Sequence, residues 1–153
     1  MAKVTQLRDT VYDVEIIYNV DHSVGKFGRN RTADVQLVQI LLNALIETIP
    51  RVGPISHNPD PAPERLRPDG ICGPKTKAAI LWFQKSRTGA QDGTINSVEP
   101  VGRYGKPGHY GTYTLWMLND WLAGRHALPS KSAITVEPLA SELRKFVLEP
   151  RME

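Results

Sequence analysis

The densest collection of chemically versatile side chains is one short stretch holding Arg103, Tyr104, Lys106, His109, Tyr110 and Tyr113. Tyrosine offers a flat apolar face with a polar edge, and Arg and Lys offer charge-assisted hydrogen bonds to carboxylates. Such a set suits holding a polar ligand better than breaking a bond. The plainer reading is a solvated loop whose tyrosines pack on the helices beneath it. No catalytic constellation stands beside it: the chain has no H-E-x-x-H helix and no G-x-S-x-G elbow. Cys72 precedes a helix N-terminus, which mildly favours a thiolate, but it has no base at readable spacing. His22, His57, His109 and His126 are scattered. His57 with Asp60 and Glu64 matches no metal-ligand pattern. The expectation is a non-enzyme with no cofactor and no metal. The loop GKFGRNR, residues 25–31, could cradle a phosphate with backbone N–H groups and Arg. It lacks the Gly-Lys-Ser/Thr ending of a P-loop, so a solvated entry loop is expected.

Composition bounds the partners. The chain has 153 residues, enough for a core without metal or disulfide help, and its single cysteine excludes an internal disulfide. A net charge of +3 fits an acidic polymer or surface and is too small to argue for nucleic acid. No apolar run approaches membrane-spanning length, so no membrane insertion is expected. The start, MAKVTQLRDTVYDVEI, lacks the apolar stretch of a signal peptide. It implies a cytoplasmic protein, or one delivered to the cell wall by a signal-independent route.

The elements that must position these residues follow from periodicity. Residues 11–20 alternate: Tyr12, Val14, Ile16, Tyr18 and Val20 share a face, opposite Asp13, Glu15 and Asn19, which predicts a half-buried strand. The expected partner is Ala133–Glu137. A helix is predicted over Ala33–Ile49, stopped by Pro50, with Asp34 in its first turn. Its apolar residues cover so much of the circumference that burial on several sides is implied. Residues 50–68 are proline-dense and read as a surface loop. A second helix is capped by Gly73 with Pro74 at its first position and ends before Gly89. A third runs over Thr112–Ala123 with Gly124 past its end, and a last one lies between Pro138 and Pro150.

The middle of the chain repeats itself. Asp69-Gly70 is followed by Gly73-x-x-Thr76-x-x-x-Ile80, and Asp92-Gly93 by Gly111-x-x-Thr114-x-x-x-Leu118. An insertion over residues 96–110 separates the second turn from its glycine. In each turn Asp leads and Gly supplies positive φ. With Asp34-Val35, Val38-Gln39 and Leu42 before them, and Ala79-Ile80 and Phe83-Gln84 between them, these motifs resemble the small three-helix peptidoglycan-binding domain attached to bacterial cell-wall hydrolases. The resemblance covers about residues 33–123.

The resemblance implies a mainly α fold with a three-helix core, residues 33–123. The N-terminal strand extension, 1–32, and the C-terminal strand-helix extension, 124–153, are not part of the familiar domain and are expected to join the core in a single domain, 1–153. Cys72 stands where the family carries an aromatic core residue, which implies a buried, inert thiol. Trp82, Trp116 and Trp121 are expected to bury the added strand and C-terminal helix. Gln39 and Gln84 are expected to bond loop backbone. Asp69, Gly70, Gly73, Thr76, Gly93, Gly111 and Thr114 are expected to set turns and caps. Function is implied to be non-catalytic peptidoglycan binding, to glycan strand or stem peptide. The groove would be lined by the Asp-Gly loops and the insertion, with Arg103, Tyr104, Lys106, His109, Tyr110, Tyr113 and Asp92 as ligand-binding residues. The alternative is a protein partner: an adaptor on the same fold, for example in a phage-tail-like or secretion apparatus.

Overall fold

The structure is a computed structural model that describes residues 3–6, 16–52, 60–86, 91–97, 114–125 and 148–151. In chain order these form β1 (Lys3–Gln6), β2 (Ile16–Asn19), β3 (Val24–Gly25), α1 (Thr32–Val52), α2 (Pro74–Lys85), β4 (Thr94–Ile95), α3 (Thr114–Arg125) and β5 (Leu148–Arg151). The described chain is mainly helical, with small sheets added. The predicted last helix, residues 138–150, falls mostly outside the described residues. Pro150 lies in β5, an edge strand of its sheet, where a missing N–H is tolerated.

Helix α1 is the centre. Val35, Leu37, Val38, Ile40, Leu41, Leu42 and Leu45 are all buried, so the helix is covered on several sides as its sequence implied. Its stretch Thr32–Ile49 does reach membrane-spanning length and apolarity by composition, contrary to expectation, but 61% of it is buried inside the protein. It also runs through Pro50 to Val52 rather than stopping there. A proline's fixed φ is helical, and one lost backbone hydrogen bond this near the end is tolerated. Helix α3 likewise includes Gly124 and ends at Arg125, a shift within the ordinary fraying of helix ends.

Helices α2 and α3 pack on α1. Ile80 and Phe83 from α2 join Leu115, Leu118 and Leu122 from α3 in one core. Phe83 and Trp121 meet edge to face, with centroids 5.2 Å apart. Both stand seven residues after the threonine of their repeat, Thr76 and Thr114. The two copies therefore touch through equivalent positions.

The strand reading holds in part. Ile16–Asn19 is extended, with Tyr18 and Val20 buried, but Asn19 is buried too. Its described partner is not Ala133–Glu137, which lies outside the described residues, but β1, paired antiparallel with Lys3 opposite Asn19. β1 also pairs in parallel with β5, giving the order β2-β1-β5. A second ribbon joins β3 and β4 antiparallel, Val24 opposite Ile95. That ribbon brings the loop before α1 against the second Asp-Gly turn.

Candidate functional site

Two polar clamps with the same bonding hold the repeats. In the first, Gln39 of α1 is buried, and its Nε2 donates to Asp69 Oδ1 at 3.2 Å, the Ile71 carbonyl at 3.1 Å and Thr76 Oγ1 at 3.1 Å. Its Oε1 accepts the Gly70 N–H at 3.0 Å. In the second, Gln84 of α2 donates to Asp92 Oδ1 at 3.2 Å, the Thr94 carbonyl at 3.1 Å and Thr114 Oγ1 at 3.0 Å. Its Oε1 accepts the Gly93 N–H at 2.7 Å. Each aspartate also accepts the N–H two residues on, from Ile71 at 2.9 Å and from Thr94 at 3.0 Å. These Asp-turns place Gly70 at φ 78° and Gly93 at φ 75°, a region L side chains resist. At Gly70 a Cβ would also lie 2.5 Å from Thr32 Cγ2, so the turn is pressed onto the start of α1.

The loops these clamps hold converge. The Lys26 N–H donates to the Gly93 carbonyl at 3.0 Å, and Thr94 Oγ1 donates to the Lys26 carbonyl. The Gly25 backbone amide lies close enough to the Cys72 thiol to act on its pKa, and Gly70 presses on Thr32, just after residue 31. Residues 25–31, the first Asp-Gly loop and the second thus meet at one end of the helices.

The Gly25–Arg31 loop is internally tied rather than open. Asn30 Oδ1 accepts the Gly25 N–H at 2.8 Å, and its Nδ2 donates to the carbonyls of Gly25 and Gly28, both at 3.1 Å. Gly28 N–H donates to the Gly25 carbonyl, Asn30 N–H to the Ser23 carbonyl and Arg29 N–H to Ser23 Oγ. With so many N–H groups already committed, the loop cannot form the phosphate nest weighed from its sequence. It presents side chains instead. Phe27 has φ 62° and is 92% exposed, with Lys26 Nζ 5.2 Å from its ring centroid. Ile71, on the neighbouring loop, is 70% exposed. Lys26, Arg29, Arg31, Lys75 and Lys77 are exposed as well.

Electrostatics follow from these contacts. The Ile71 N–H, then the Gln39 amide, hold the Asp69 carboxyl below the usual aspartate value. Burial pushes the Cys72 thiol up, against the opposing pull of Lys77 and the Gly25 backbone amide. Cys72 packs against the core but is half-buried, not buried as expected, because its loop leaves one side of it open.

Of the expected ligand-binding residues, Arg103, Tyr104, Lys106, His109, Tyr110 and Tyr113 lie outside the described residues, as does the scaffold residue Gly111. Asp92 is described, and its Oδ1 belongs to the second clamp, with the scaffold. Gly73 caps α2 in extended conformation with Pro74 following. Asp34 was expected to favour its own helix dipole. It is buried and accepts the Asp21 and His22 N–H groups at 3.2 and 3.1 Å, fixing the turn before β3. Among the described residues no group of three His, Cys, Asp or Glu side chains could hold a metal.

Phe27 and Asn30 were missed as site residues. Asn tolerates positive φ in a glycine-broken loop and could have been suspected; a bulky Phe there is an outlier that only the folded loop reveals. Comparison with protein-family models, with curated proteins and with solved structures finds no match.

Proposed function

We propose that the protein is a non-catalytic module that binds bacterial peptidoglycan. The observation that carries this reading is the pair of equivalent Gln–Asp-Gly–Thr clamps, built on the motifs through which the sequence resembles peptidoglycan-binding domains. The clamps gather three loops at one end, where cations, one aromatic ring, Phe27, and the aliphatic Ile71 are exposed. Stem peptides supply carboxylates, and sugar rings supply apolar faces, that such a surface fits. The insertion, with its tyrosines and basic residues, begins in sequence directly after β4, which pairs with β3. Co-sedimentation with purified insoluble peptidoglycan tests the reading. The folded protein is expected in the pellet at low salt; a protein that stays in the supernatant contradicts it.

A further inference from the structure

Phe27 is poorly placed for stability. A bulky side chain in the left-handed region is strained, and this one is 92% exposed at φ 62°, so burial does not compensate for the strain. Its neighbour Asn30 shares the left-handed region at φ 53°, but three side-chain hydrogen bonds explain it. Phe27 takes its φ as the third residue of the turn closed by the Gly28 N–H on the Gly25 carbonyl, a position that favours glycine or Asn, and its ring lies 5.2 Å from the Lys26 ammonium. The loop's internal bonds fix its backbone, so the ring is displayed in advance of any ligand.

The surroundings narrow what the ring can receive. Among the described residues the other exposed large hydrophobic is Ile71, too little for the apolar core of a protein interface. Lys26, Arg29 and Arg31 are exposed in the same loop, and Lys75 and Lys77 are exposed in the first turn of α2. Of the acids around the loop, Asp34 is buried and engaged with backbone N–H groups. Asp69 and Asp92 are exposed, but each holds a glutamine amide and an N–H of its own turn, and Asp21 is exposed on the turn before β3. An isolated flat ring in a cationic frame suits a sugar face whose substituents carry carboxylates.

Resting on the peptidoglycan reading, we infer that Phe27 is the sugar-stacking residue of the binding face, and that Lys26, Arg29 and Arg31 receive the carboxylates beside that sugar. The site lies outside the 96–110 insertion and outside both clamps.

The test uses the full chain, insoluble peptidoglycan, and the same material with its carboxylates amidated. Phe27→Gly removes the ring and suits the left-handed backbone, so its melting temperature should equal or exceed that of the parent. Its retention should fall about tenfold, while Phe27→Trp should retain binding. Phe27→Gly pelleting like the parent would overturn the stacking assignment and leave the peptidoglycan reading standing. Amidation should weaken the parent protein several-fold; undiminished binding would overturn the role of the cations. A parent protein that does not pellet with untreated material would remove the peptidoglycan reading and this assignment together.

Discussion

Gln39 and Gln84 each satisfy an aspartate, a carbonyl, a threonine hydroxyl and a glycine N–H with one side-chain amide. Gln39→Leu would leave the buried Gly70 N–H without its partner and should destabilise the protein by about 3 kcal/mol. Gln84→Leu should have a loss of similar size, since its bonding is the same; denaturant melts would show whether one clamp matters far more. The Asp69 carboxyl is held below its ordinary value when folded, so its ionised form stabilises the fold above the unfolded pKa. That contribution is lost as pH falls through the folded value, which lies below that of an ordinary aspartate. Asp69→Asn should flatten the acid limb of a melting-temperature profile; an unchanged limb would assign the acid sensitivity elsewhere. The glycines of both turns and the bonding of Gln39 and Gln84 to loop backbone were legible in the sequence, because Asp-Gly turns and an amide after a core position are local patterns. The roles of Asn30, Asn43 and Asn119 were not. Asn43 pairs with both backbone groups of Leu66, and no local pattern names a partner that far away.

Among the elements, periodicity located all three described helices and the strand at Ile16–Asn19, but it did not find the strand's partner. Lys3–Gln6 is too short and too polar to announce itself, whereas pairing is decided by tertiary contact. What docks β2 is also a side chain: Asn119 Oδ1 accepts the Tyr18 N–H at 2.9 Å, and its Nδ2 donates to the Tyr18 carbonyl at 3.0 Å. The amide acts as a short strand offered by α3. Asn119→Leu keeps the volume and removes both bonds, which should destabilise the fold by about 2 kcal/mol. Hydrogen exchange at Tyr18 should quicken relative to the amides of α1; unchanged protection there would show that packing alone holds the strand. Tyr18 and Val20 bury against the same core as Leu37 and Leu41, so the added strand is part of the fold.

At the scale of the whole molecule, the duplicated turn-and-helix unit is a scaffold, and its conserved geometry in two copies places three loops side by side. The Phe83–Trp121 contact and the matched clamps show one packing solution used twice. On the proposed reading, binding belongs to what this scaffold presents, the loop end with its exposed cations, Phe27 and Ile71. The direct measurement is amide chemical-shift mapping of the labelled protein titrated with soluble muropeptides. Shifts concentrated at Lys26–Arg31, Ile71–Lys77 and the β3–β4 ribbon, saturating with ligand, are the predicted result. A titration that moves no amides, or moves only those of the β2-β1-β5 sheet, would contradict it.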